Sequence, residues 1–331
     1  MSVKFAVIGD GAWGTAIAIH LAQQPGRQVC LWSAFQENHQ VLASQRENVR
    51  LLPGVKIPEA IDLTLNFDEA ITGADMAIAA IPTVYLRNTL QRFIGKWPAQ
   101  LPTVSLAKGL ENETFLRPTQ ILAEVLGLKR LAVLSGPSHA EEVSRGRPTS
   151  VVVAAEDESL AMSIQQVFNT DRFRVYTNQD VVGVELAGAV KNVIGIAAGA
   201  CDGLKFGDNA KSALMTRALV EIARFGVAHG AEHATFLGLA GLGDLITTCI
   251  SPHGRNRRVG ERLGQGEKLA DILASSPQVA EGIYTARSVY FRAKAMGIEL
   301  PIMTEVYRVL YENKSPLEAV ADLMLRRPKK E

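Results

Sequence analysis

The chain has 331 residues, with 35 Lys and Arg against 34 Asp and Glu, a net charge of +1 and three cysteines. That length accommodates two domains with sizeable cores, and the balanced charge gives no footing for a nucleic-acid or anionic membrane surface. Cys30, Cys201 and Cys249 lie far apart, no CxxC or Cys/His cluster suggests zinc, and their odd number fits reduced thiols in a cytosol.

Val3 to Ile8 reads as a buried strand, and because the chain enters it at once no leader is expected. Gly9-Asp10-Gly11-Ala12-Trp13-Gly14 follows, a GxGxxG that opens a helix over Ala12 to Gln24. In that setting the first glycine permits a tight turn and the second lets backbone approach a pyrophosphate. The third lets helix and strand lie close, and the helix N-terminus offers N–H groups to phosphate. Nucleotide binding is the expectation. The next strand, Gln28 to Trp32, leads into Ser33, which looks like an N-cap with Gln36 as its capping-box partner. An NAD-selective site carries Asp or Glu at this strand's end. Here no acid appears before Glu37, so a 2′-phosphate meets no repulsion there, and Arg46 and Arg50 are candidates to reach one. Use of both NAD and NADP is expected.

Further strands are expected at Met76 to Ile81, Thr103 to Ala107, Leu131 to Leu134 and Ser150 to Ala154. Helices fall at Val84 to Ile94 and Thr119 to Leu126. This alternation predicts an α/β fold, a doubly wound, mostly parallel sheet with helices on both faces. Ligands bind beyond the carboxyl ends of such strands. Pro82, Lys108-Gly109 and Ser135-Gly136-Pro137-Ser138 all lie at such ends and are expected to line one crevice, with Lys108 holding a carbonyl oxygen or an anion.

From Asp180 the alternation gives way to helical periodicity. Breaks fall near 203–209, Gly230, 251–254, 275–277, 297–301 and Ser315-Pro316. The run Val181 to Cys201 is apolar except for Glu185 and Lys191. No apolar run is expected to cross a membrane. Ala187, Gly188, Ile194 and Gly195 neighbour Lys191 on a helix and cannot neutralise an ammonium, and the glycines suggest open space. Either Lys191 marks a solvated helix edge or it is a catalytic acid or base. Farther on, Gly241-Leu242-Gly243-Asp244 sets one carboxylate in an apolar stretch. After Gly254, Arg255 and Asn256 suit a phosphate, whereas at least one of Arg257 and Arg258 is expected to face water. His229 and His233 share helical spacing but lack a third ligand, so no metal is expected.

Several ordered motifs carry a resemblance: GDGAWGTA, SLAKGLE, SGPSHAEE, ELAGAVKNV, GLGDL, GRNRRVG and VAEG. With them the chain resembles the NAD(P)-dependent glycerol-3-phosphate dehydrogenases of the bacterial cytosolic type, along essentially its whole length. The resemblance implies reversible reduction of dihydroxyacetone phosphate to sn-glycerol 3-phosphate, a phospholipid precursor, by a cytoplasmic homodimer without metal. It implies a Rossmann-like dinucleotide-binding domain over 1–179 and an all-helical substrate-binding and catalytic domain over 180–331. Lys191 matches the family's proton donor and acceptor, with Lys108 and Asp244 as catalytic helpers. Lys108, Gly136, Ser138, Lys191, Asp244, Gly254, Arg255 and Asn256 match substrate contacts, with Asn192, Thr247 and Thr248 in support. Ala12, Trp13, Lys108, Ala140, Arg255, Val279 and Glu281 match cofactor contacts beside Gly9, Gly11 and Gly14. Ala34 departs from the pattern, standing where relatives often carry a polar or basic side chain.

Two other readings stand beside this one. Other dehydrogenases, the 3-hydroxyacid and 6-phosphogluconate types, also place a Lys-Asn pair on the first helix after the nucleotide domain. A non-enzymatic nucleotide sensor is the other alternative, although it would need neither Lys191 nor Asp244.

Overall fold

The computed structural model describes residues 3–275, 279–328 and 330. The chain divides into two compact units, one of Met1–Lys108 with Leu116–Glu185 and one of Gly109–Phe115 with Leu186–Glu331. Compactness thus groups Gly109–Phe115 with the helical part and Asp180–Glu185 with the sheet, unlike the change of periodicity at Asp180.

The first unit runs β1 (Val3–Ile8), α1 (Ala12–Ala22), β2 (Arg27–Trp32), α2 (Gln36–Gln45), β3 (Ile61–Thr64), α3 (Phe67–Ile71), β4 (Met76–Ala79), α4 (Thr83–Gln91), β5 (Thr103–Ser105), α5 (Pro118–Leu126), β6 (Leu131–Ser135), α6 (Ala140–Val143), β7 (Thr149–Ala154), α7 (Glu158–Phe168) and β8 (Phe173–Asn178). The strands form one sheet in the order β3-β2-β1-β4-β5-β6-β7-β8. Pairing is parallel throughout except between β6 and β7. Side chains alternate across it as a pleat requires. Phe5, Val7, Val29 and Leu31 enter the core on one face, and Ala6, Ile8, Cys30 and Trp32 that on the other. The sheet turns back between β1 and β4, the crevice where such sheets bind nucleotides, and the glycine turn lies there.

β3 and β8 are additions to the expected strands. β3 is an edge strand of only four residues, in which Asp62 is the exposed one. β8 alternates buried Phe173 and Val175 with exposed Arg174 and Tyr176, but it ends just before the point where the helical pattern begins. Ser33 does not cap α2. That helix begins at Gln36 with Phe35 before it, and Ser33 instead extends the β2–β3 pairing, its N–H donating to Thr64 O at 2.9 Å.

The second unit is helical: α8 (Val181–Gly203, begun in the first unit), α9 (Gly207–Val227), α10 (His233–Leu237), a π-helical turn (Leu239–Gly243), α11 (Asp244–Ile250), α12 (Arg255–Gly264), α13 (Leu269–Ala274), α14 (Glu281–Met296), α15 (Pro301–Tyr311) and α16 (Pro316–Met324). The break expected at 275–277 falls partly outside the described residues. By length and composition α8 is long and apolar enough to cross a membrane, contrary to the expectation. It serves as a core helix, with 83% of its apolar window buried.

Glycine explains how α8 packs. A Cβ on Gly199 would lie 1.8 Å from Arg257 O, and one on Gly260 1.8 Å from Ile196 O. Gly203 and Gly264 are filled in the same way by backbone of the opposite helix. Gly195 opens no space either, since a Cβ there would meet the Thr248 methyl at 2.7 Å and Asn256 Cβ at 3.2 Å. Gly195, Gly199 and Gly203 therefore admit α11 and α12 rather than leave room for substrate.

Candidate active site

In the first unit, the turn after β1 is locked by packing. A Cβ on Gly14 would sit 2.0 Å from Gly9 O, and Gly9 has a φ of 120° with Ala80 O 2.7 Å from where its Cβ would be. At Gly11 the space is open, with nothing within 4 Å of a Cβ position. Gly11 precedes α1 and offers no side-chain cap, so the first N–H groups of α1 stay available to phosphate. Trp13 Nε1 and Ser33 Oγ are buried with no hydrogen-bond partner among the described residues. Open space, uncapped N–H groups and two unspent polar atoms at the ends of β1 and β2 fit a dinucleotide. Ala34 is half-buried beside Ser33 and brings no charge.

Two of the expected turns meet within this unit. Lys108 Nζ donates to Gly136 O at 2.8 Å and to Ser138 Oγ at 3.3 Å. Ser138 Oγ in turn donates to Gly136 O at 2.8 Å. Gly136 has a φ of 127°, and a Cβ there would lie 3.0 Å from Val151 Cα, so this tight turn demands glycine. Ala140 is buried at the start of α6. Arg46 is committed to structure, because its guanidinium donates to the carbonyls of Ile57, Pro58 and Ile61 and so closes the α2–β3 connection.

In the second unit, Lys191 is buried rather than at a solvated edge, only 5% exposed. Its Nζ donates to Asp244 Oδ1 at 2.7 Å and to Thr248 Oγ1 at 2.5 Å. Asp244 opens α11 directly after the π-helical turn, where a Cβ on Gly241 would strike Phe236 O at 2.1 Å. The glycines of GLGDL thus let the chain fold tightly enough to deliver the carboxylate. Thr247 turns back, its Oγ1 donating to Gly243 O at 3.1 Å. A buried ammonium beside a buried carboxylate and a hydroxyl can protonate a substrate oxygen and take the proton back.

Gly254 precedes α12 without a side-chain cap, and Arg255 is exposed at that helix's first position. Asn256 points inward. Its Nδ2 donates to Asn192 Oδ1 at 2.9 Å, and its Oδ1 accepts from Gly282 N at 2.9 Å. Its amide therefore ties α8 and α12 to the start of α14, where Ala280 is buried between half-buried Val279 and Glu281. Arg257 pairs with Asp202 at 2.6 Å, and Lys211 also binds Asp202, whereas Arg258 is exposed. His229 is spent otherwise: Nδ1 lies 2.7 Å from Phe225 O, and Nε2 accepts from Arg292 at 3.2 Å.

Residues 4–161 match the N-terminal part of the NAD-dependent glycerol-3-phosphate dehydrogenase family, and residues 180–321 match its C-terminal part. The chain belongs to this family. It is 46% identical over 99% of both chains to the NAD(P)+ glycerol-3-phosphate dehydrogenase of Chlorobium limicola. To that of Geobacillus thermodenitrificans it is 48% identical, over 99% of this chain and 96% of the relative. The crystal structure of glycerol-3-phosphate dehydrogenase from Coxiella burnetii superposes with a TM-score of 0.94 at 35% identity, covering 98% of this chain and 99% of that one.

Two asparagines that the sequence reading did not single out hold the glycine turn. Asn48 Nδ2 donates to Asp10 O at 2.8 Å and to Thr15 Oγ1 at 3.1 Å, and Asn38 Nδ2 donates to Asp10 Oδ2 at 2.5 Å. Asn48 is 1% exposed, yet it lies in a polar stretch between helix and turn where nothing in the local pattern marks it as buried.

Proposed function

We propose that the protein is an NAD(P)-dependent sn-glycerol-3-phosphate dehydrogenase that reversibly reduces dihydroxyacetone phosphate to sn-glycerol 3-phosphate for phospholipid synthesis. The observation that carries this reading is the buried Lys191–Asp244–Thr248 group in a chain of this family. A nicotinamide dinucleotide bound at Gly9, Gly11, Ala12, Trp13 and Gly14 supplies the hydride.

The remaining steps belong to the protein's own side chains. As hydride reaches the ketone carbon, the carbonyl π pair becomes an alkoxide. Lys191 Nζ gives that oxygen a proton and becomes a neutral amine, which is recharged from water. Asp244 and Thr248 hold Nζ in position, and the substrate oxygen takes its place among these acceptors. Lys108, fixed by Gly136 O and Ser138 Oγ, is the second catalytic cation of this reading, and its charge stabilises an oxyanion. Arg255 binds the substrate phosphate through its guanidinium fork beside the uncapped start of α12, with Gly254 giving close backbone approach. Asn192 and Asn256 support the site as a linked pair. Ala140, Val279 and Glu281 contact the cofactor, as does Arg255. The glycine turn belongs to residues 1–179 and the Lys191–Asp244–Thr248 group to 180–331.

The protein is read as a cytoplasmic homodimer that accepts both NADH and NADPH and needs no metal. The deciding experiment follows oxidation of each nucleotide with dihydroxyacetone phosphate, against 3-hydroxyacid and 6-phosphogluconate substrates. Turnover with dihydroxyacetone phosphate is expected. Turnover only with a carboxylate substrate would reassign the site, and cofactor binding without any turnover would make the protein a sensor.

A further inference from the structure

The ribose end of the cofactor site lacks its usual discriminating group. In an NAD-selective dinucleotide fold, a carboxylate at the end of the second strand binds the 2′-hydroxyl. Here β2 ends at Trp32 and continues through Ser33, Ala34 and Phe35, none of them ionisable. Arg46, a candidate to bind a 2′-phosphate, is held instead by three backbone carbonyls.

A carboxylate arrives from a different element. Asp10, between Gly9 and Gly11, is 8% exposed, and its Oδ2 accepts from Asn38 Nδ2 at 2.5 Å. Asn38 lies in the first turn of α2, directly beyond β2. This bond aims the Asp10 side chain from the β1–α1 turn toward the β2–α2 connection, the segment that carries the selecting acid in other dinucleotide sites. The main chain at Asp10 is fixed as well, since Asn48 Nδ2 and Thr15 Oγ1 both donate to its carbonyl. Asn38 is a neutral amide, so it orients the carboxylate without cancelling its charge. A carboxylate can accept about four hydrogen bonds, which leaves Asp10 capacity for a ribose hydroxyl. Ser33 Oγ, buried and unpartnered among the described residues, supplies a hydroxyl at the same end.

We propose that Asp10 sets the cofactor preference. Its carboxylate takes the place of the acid missing from β2, accepts from the 2′-hydroxyl of NAD(H) and repels the 2′-phosphate of NADP(H). Both nucleotides bind, and NAD(H) binds more tightly. The inference rests on the reading of the glycine turn as the cofactor site.

The test is equilibrium binding of NADH and NADPH to the wild-type protein without substrate, followed by fluorescence quenching over a range of salt. At low salt the Kd for NADPH is expected to exceed that for NADH by about tenfold, the scale of one like-charge contact. That ratio should fall as salt rises, because the repulsion is screened. A site that attracts the 2′-phosphate gives a ratio that rises with salt. In Asp10→Asn the NADPH affinity should tighten about fivefold or more, with NADH affinity within about threefold of wild type. Glu37→Gln, at an exposed acid on the same turn of α2, should leave the ratio unchanged.

A wild-type ratio at or below one, a flat or reversed salt trend, or a ratio moved by Glu37→Gln and not by Asp10→Asn would overturn the proposal. The salt series needs no variant, so a misfolded Asp10→Asn does not shield it. Binding of neither nucleotide would remove the cofactor reading itself, whereas equal binding of both removes this inference alone.

Discussion

Gly199 and Arg257 touch backbone to backbone: a Cβ on Gly199 would stand 1.8 Å from the carbonyl oxygen of Arg257. No rotamer relieves that clash, because the backbone fixes the position of a Cβ and the oxygen it meets is main-chain. Gly199→Ala must therefore push α12 away from α8. It is expected to cost more than about 3 kcal/mol of stability, the scale of a severe overpacking. Denaturant melts of Gly199→Ala and Gly260→Ala would show it. A loss below about 1 kcal/mol in both would mean that the helices part easily.

Lys191→Ala should lower kcat by at least about a hundredfold while leaving NADH affinity nearly unchanged. A fall of less than about tenfold would sink the assignment. Asp244 is 2% exposed, so the variant also takes the ammonium away from a buried carboxylate. A destabilisation of about 3–5 kcal/mol is expected, much of it recovered by adding Asp244→Asn. Turnover separates the two roles, because the double variant regains stability and stays inactive.

Arg255 is exposed and begins α12, so truncating it costs the fold little. Arg255→Ala should raise KM for dihydroxyacetone phosphate by about tenfold to a hundredfold and shift stability by less than about 0.5 kcal/mol. Arg255→Lys keeps the charge but loses the fork, and should recover only part of the KM. Steady-state kinetics with an unchanged melting curve would establish this. An unaltered KM in Arg255→Ala would place the phosphate elsewhere.

Glu221, 5% exposed, accepts the N–H groups of Ile302 at 2.9 Å and Met303 at 3.2 Å at the start of α15. Burial pushes its carboxyl from 4.5 up to about 7, against the pull of those two N–H groups. A folded pKa above the unfolded one favours the folded state while the group stays protonated. The contribution is full below about 4.5 and lost as pH rises through about 7, at most about 3 kcal/mol in all. Thermal melts between pH 5 and pH 8 should fall more steeply in the wild type than in Glu221→Gln. Parallel slopes would show that Glu221 does not titrate in this window.

The sheet was readable because its strands are apolar runs of the right length, punctuated by glycine and proline. β3 was hidden by its length of four residues, and β8 by its position just before the change of periodicity. Lys191 was visible as a charge in an apolar helix, but its partners lie far along the chain, and no local pattern encodes that Asp244 and Thr248 fold back onto it. The glycines near it were read as space, since a sequence does not say what fills the gap left by a missing side chain. Asn256 looked like a phosphate donor by its place beside Arg255. Its amide also bonds Asn192 and Gly282, groups remote in sequence, while the second hydrogen of Nδ2 keeps its capacity to donate.

Lys191 and Asn192 are consecutive on α8, so their side chains leave the helix about 100° apart. One is bonded to α11 and the other to α12. Two tethers in different directions deny the helix any roll about its own axis, since a turn either way breaks a buried bond. The bearing of the proton donor is thus set by its neighbour as well as by its own partners.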